Sequence, residues 1–167
     1  DHSMLDKYWQ QALSMPSYVV NNYTVNENRD EPTIDVDLNI TLGKAISASG
    51  NRMFVLSAFT NAVDKKLQRD TGRVNTIYLR HGFTEIDTFE MAVPQGYRLE
   101  SGPRNVLMEN TFGSYQLDMV QTPDSLKLIR KRIQKAGNYE KSLYDLFVKF
   151  HNDMYQADRS KLVWVKL

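Results

Sequence analysis

Between Thr33 and Leu42 every second residue is apolar. Ile34, Val36, Leu38, Ile40 and Leu42 alternate with Thr33, Asp35, Asp37, Asn39 and Thr41 without one exception. A helix needs apolar residues three and four apart, so a period of two excludes it and defines a half-buried strand with one wet face. Residues 18–26, rich in Val, Tyr and Thr, precede it as a second strand. The polar residues 27–32, ending in Pro32, join the two as a hairpin loop.

The same style continues along the chain. Residues 53–59 are more continuously apolar and read as a buried strand, whereas residues 60–73 carry Asp64, Lys65, Lys66, Arg69, Asp70 and Arg73 and read as a solvated connection with one helical turn. Residues 76–80 form a short strand. Phe89, Met91 and Val93 share one face of the next, and Pro94-Gln95-Gly96 is a turn in which Pro presets one dihedral and Gly permits a positive φ. Tyr97 and Leu99 begin a strand that Gly102-Pro103 interrupts, and Val106 and Met108 make a short edge piece. Gly113 opens a strand with Tyr115, Leu117 and Met119. Thr122-Pro123-Asp124-Ser125 turns into residues 126–133, and residues 162–165 close the chain as a strand.

Two segments break the period. Met4, Leu5, Tyr8, Trp9, Ala12 and Leu13 predict a helix over 3–14, stopped by Pro16. After Asn138, read as an N-cap, Leu143, Leu146, Phe147, Phe150 and Met154 recur at helical spacing and predict a helix of about 19 residues. The expected fold is mainly β (α+β): a β-sandwich of about eight or nine antiparallel strands with an N-terminal helix and a long C-terminal helix. Residues 1–16 are read as a linker helix from an upstream domain, and 17–167 as one sandwich-like domain. Because the chain opens Asp1-His2-Ser3, it is read as a processed or excised piece of a longer protein.

Composition limits the chemistry. The chain of 167 residues has no cysteine, which removes thiol nucleophiles, thiolate metal sites and disulfides together. A net charge of +1 gives no electrostatic case for nucleic acid or an acidic membrane, and no run approaches the ~20 apolar residues of a membrane span. Of the three histidines, His2 sits at a terminus, His81 precedes Gly82 at a strand end, and His151 borders the apolar stripe of the last helix. The ordinary reading of His81 and His151 is as boundary residues. Asp35 and Asp37 share a strand face roughly 7 Å apart. They are candidates for calcium or for an acid–base pair, yet no calcium-loop pattern surrounds them. Lys127, Arg130, Lys131, Arg132 and Lys135 form the densest basic run. Because both alternation phases are basic, that strand is expected at a solvated edge or at a bulge. Tyr23, Tyr78, Tyr97 and Tyr115 lie on predicted strands, where tyrosines either stack on sugars or fill a core. No residue is assigned as catalytic, cofactor-binding or metal-ligating, and no cofactor is expected.

The run from Ile86 through Asp87, Pro94, Gly96 and Tyr97 to Glu100 is the centre of a family resemblance. Asn110-Thr111-Phe112-Gly113-Ser114-Tyr115, Gly137-Asn138-Tyr139, Ala157-Asp158 and the step from Ser49 to Phe54 extend it. Together these resemble the C-terminal domain of exported transglutaminase-like proteins of Bacteroidetes-type bacteria, in which a β-rich domain and a papain-like core come first. The resemblance implies an exported, periplasmic or envelope location. It also implies a non-catalytic accessory role, with the upstream domains of the same polypeptide as partners, because the family's Cys, His and Asp belong to the upstream core. A protein or glycan surface is a further partner. Two other readings are a carbohydrate-binding module using a row of exposed aromatics and an autonomous hydrolase built on His81 or His151.

Overall fold

The computed structural model describes residues 17–28 and 30–167. The helix expected over 3–14, the linker role of residues 1–16 and His2 therefore lie outside the described residues. The fold is mainly β, with antiparallel sheets and one C-terminal helix. The chain divides into two compact units between Ser47 and Ala48.

The first unit holds a hairpin of β1 (Tyr18–Asn28) and β2 (Thr33–Leu42). Apolar residues of β1 change phase from Tyr18 and Val20 to Tyr23 and Val25, which would split them between two faces. A bulge between Val20 and Asn22 inserts Asn21 and restores the phase, so that Tyr23 opposes Leu38 and Val25 opposes Val36. Asn21 turns to the polar face, where its Nδ2 donates to Asn39 Oδ1 at 2.8 Å and to Thr41 Oγ1 at 3.1 Å. On the apolar face Val25, Ile34 and Val36 stay 49%, 64% and 39% exposed.

The second unit is a sandwich with a helix. Its strands are β3 (Ile46–Ser49), within which the division falls, β4 (Arg52–Leu56), β5 (Ile77–Leu79), β6 (Phe83–Ala92), β7 (Tyr97–Ser101) and β8 (Val106–Asn110). β9 (Gly113–Gln121), β10 (Ser125–Gln134), β11 (Gly137–Tyr139) and β12 (Lys161–Lys166) follow. One sheet runs β6-β10-β9-β8 and the other β3-β4-β12-β7, with β11-β5 as a small pair. The two large sheets share a core of Val55, Leu126, Leu128, Leu162 and Trp164, with Phe89, Met91 and Met119 packed against it. These are the eight strands of a sandwich, within the expected eight or nine, and the pairs β1-β2 and β11-β5 bring the strands among the described residues to twelve.

The C-terminal helix is shorter than its sequence pattern. A 3-10 turn, Lys141–Leu143, leads into α1 (Tyr144–Asp158), and Asn138 is a strand residue opposite Tyr78, not a helix cap. Pairing with β5 outcompetes the cap, and Leu146, expected in the apolar stripe, is 41% exposed. The buried face of α1 is Val148, Phe150, Met154, Ala157 and Asp158. Phe150, Met154 and Ala157 pack with Tyr115 and Leu117 of β9 in a second core that also takes in Val63 and Ile77. Tyr115, Leu117 and Met119 alternate on one face of β9, so α1 and the second sheet cover neighbouring halves of the same sheet face.

Residues 60–73 form no helical turn and run as a strap along α1, tied by its polar side chains. Asn152 accepts from Leu67 N and donates to Leu67 O, at 2.8 and 3.1 Å, replacing the hydrogen bonds that a neighbouring strand would have supplied. At one end Asp158 accepts from Val63 N, and at the other Arg69 grips Asp145 with two bonds of 2.6 Å.

Candidate functional site

The most polar point of the interior lies where the two cores meet. β10 is an inner strand, paired with β6 on one side and β9 on the other, so the expectation of a solvated edge is overturned. Its basic run divides by phase. Lys127 is exposed on the outer face, while Arg130 follows Leu126 and Leu128 inward and is 0% exposed. An inward guanidinium is tolerated only with compensating charge and a partner for each N–H. Arg130 Nε donates to Asp158 Oδ1 at 2.7 Å, Nη2 to Asp158 Oδ2 at 3.2 Å and to Asn61 O at 2.9 Å, and Nη1 to Asp87 Oδ2 at 2.8 Å.

The carboxylates are held in turn. Asp87 Oδ1 accepts from Thr60 Oγ1 at 3.0 Å and Asn61 Nδ2 at 2.8 Å, and Asp158 Oδ1 also accepts from the Tyr115 hydroxyl at 2.7 Å. Burial, reinforced by the Asp158 charge, pushes the Tyr115 phenol far above its ordinary range, so it stays protonated and donates. Burial alone would lower Arg130, but the hydrogen bond and charge of Asp158 outweigh it and hold the guanidinium ionised. Glu85 Oε2 lies 3.9 Å from Arg130 Nη1 and 3.6 Å from Arg132 Nη1 without a hydrogen bond to either. The cluster thus joins β6, β10, the strap and the end of α1. Apart from Glu85 Oε2, its groups are committed to one another, so its chemistry is that of a clamp.

Sequence reasoning missed this cluster, although a signal existed. Glu85 and Asp87 fall in the apolar phase of β6, Arg130 and Arg132 in that of β10, and the antiparallel register sets Arg130 opposite Asp87 and Arg132 opposite Glu85. Two inward acids spaced like two inward arginines call for a shared buried network. Asp158 carried no such signal, because only the turn of α1 brings it there.

The residues singled out from sequence are mostly scattered. His81 is exposed between β5 and β6, with its carbonyl accepting from Gln134 Nε2. His151 packs beside Phe147, with its Nδ1 buried and without a hydrogen-bond partner among the described residues. Burial pulls His151 below its ordinary value, against a smaller opposing effect of Asn152 and with a contribution from Arg132. Asp35 and Asp37 stand on the polar face of β2, where Asp37 accepts from Thr24, and no acidic or histidine trio able to hold a metal occurs among the described residues. Of the four tyrosines only Tyr78 is exposed, at 70%. Tyr115 is fully buried, and Tyr23 and Tyr97 are half-buried. No described helix is long and apolar enough to cross a membrane.

Residues 51–164 match the model of DUF3858, a domain of unknown function with a solved structure. The chain belongs to this family. No curated protein and no solved structure matches it. The DUF3858 region takes in the whole buried cluster, from Thr60 to Asp158, whereas the β1–β2 hairpin lies outside it.

Proposed function

We infer that this chain is a non-catalytic accessory domain that packs on or orients a transglutaminase- or protease-like core of the same polypeptide, in an exported bacterial envelope protein. One observation carries this reading. The ionisable groups of the DUF3858 interior close on each other as a clamp between two apolar cores, which suits a rigid support better than a reaction centre. The resemblance of the Ile86 to Glu100 run to the last domain of such proteins supplies the identity of the core. The test is to assay the chain alone on peptide amides and glutamine side chains, and to assay the whole polypeptide with and without residues 17–167. No turnover by the chain, and a core that loses thermal stability or activity without it, are expected. Turnover by the chain that disappears in His81→Ala or His151→Ala would overturn the reading, as would a core indifferent to the deletion.

A further inference from the structure

The sheet β6-β10-β9-β8 has two edges, and they are unequally guarded. β6 carries Glu85 and Asp87 in its inward phase, and inward charge is one of the devices by which an edge strand resists a further strand. β8 has no inward charge, lysine or proline. Its Val106 and Met108 point inward, and its Leu107 is 72% exposed on the outer side. Beside β8 runs a groove of about 380 Å³ between the strand and α1, with Val106, Met108, Leu117 and Ala157 as its apolar lining and Gln156 and Ser160 as polar wall residues. Arg104 lies at its end, continuing the period-two series of Val106 and Met108. Across the groove Asp153 is held by Lys149, whereas Arg104 has no ion-pair partner among the described residues. The mouth therefore keeps one unbalanced positive charge.

We propose that β8 is the docking edge for an extended peptide of another polypeptide, which adds as an antiparallel strand. Two of its apolar side chains, at alternate positions, enter the groove opposite Met108 and Val106, and a carboxylate two residues further on meets Arg104. Main-chain hydrogen bonds to the open edge supply affinity, and the groove reads every second side chain. The facing residues are direct cross-strand neighbours, so the acid opposite Arg104 discriminates. From its N-terminus the ligand reads apolar, any, apolar, any, acidic. The intervening residues lie on the side of Leu107 and are free to vary. This proposal is independent of the accessory role, since it concerns an edge and not a core.

The probe is a short synthetic peptide with Val-Thr-Val-Thr-Glu at its centre, titrated into the intact chain. Fluorescence polarisation of the peptide and amide exchange of the chain are the readouts. Saturable binding is expected, with exchange slowed at residues 106–110, and a peptide with Lys in place of Glu should bind at least roughly tenfold more weakly. Arg104→Glu, at an exposed position, should reverse that preference. The proposal fails if neither peptide saturates, if Arg104→Glu leaves the preference unchanged, or if protection appears on another strand. Protection of β8 by self-association without peptide would make a second copy the occupant and also overturn it.

Discussion

β2 and β10 are each ten residues long, and their fates are the reverse of their patterns. β2 alternates perfectly, yet it belongs to a two-stranded ribbon in which Ile34 is 64% exposed. β10 carries Lys127, Arg130, Lys131 and Arg132, yet it is an inner strand whose Leu126, Leu128 and Arg130 are all 0% exposed. A period of two states which side chains share a face. It does not state what covers that face. β10 is buried because a second sheet, α1 and two aspartates converge on its inner side.

If that contrast is right, the largest effect should come from the charge inside β10. Arg130→Met leaves Asp87 and Asp158 buried without their counter-charge and should destabilise by about 3–5 kcal/mol. Denaturant titration followed by tryptophan fluorescence measures it. Adding Asp87→Asn and Asp158→Asn should recover part of the loss, because the amides drop the charge while their oxygens still accept from Thr60, Asn61, Val63 and Tyr115. A single-variant loss below about 1 kcal/mol would show the cluster to be wetter than its geometry.

Apolar positions on the two strands sharpen the comparison at the next level. Leu128→Ala removes part of a fully buried side chain from the shared core and should cost about 2–5 kcal/mol. Val36→Thr, at a partly exposed site on β2, should stay within about 0.5 kcal/mol. Equal costs would mean that the ribbon is covered as thoroughly as the sandwich.

The smallest effect concerns pH and α1. His151 is held below its ordinary value by burial, so the folded chain resists a proton that the unfolded chain accepts. Stability should be complete above about pH 6.5 and decline as pH falls through that value towards the lower folded one. His151→Leu should flatten this decline, measured as the midpoint of thermal unfolding against pH. An unchanged slope would place its origin elsewhere.

Much of the strand order was legible. The β2 expectation matches its observed bounds, Gly113 opens β9 as expected, and Pro94-Gln95-Gly96 and Thr122-Pro123 mark turns that the chain makes. Gly96 takes a φ of +76°, and at Gly113 a Cβ would strike the Ile133 carbonyl, so backbone geometry itself selects glycine. The start of α1 was misread because Asn138 favours caps locally, while pairing with Tyr78 satisfies its backbone equally well. The buried cluster was overlooked because net charge along β10 hid its division into an exposed and an inward row.

By itself the sequence determined the local periods, the turns and the composition of each face, since these follow from dihedral preferences and from which side chains avoid water. Only the tertiary structure decided that Asp87, Arg130 and Asp158 meet. They stand 43 residues apart from Asp87 to Arg130 and 28 from Arg130 to Asp158 along the chain. Their attraction becomes strong only after packing has removed the water between them.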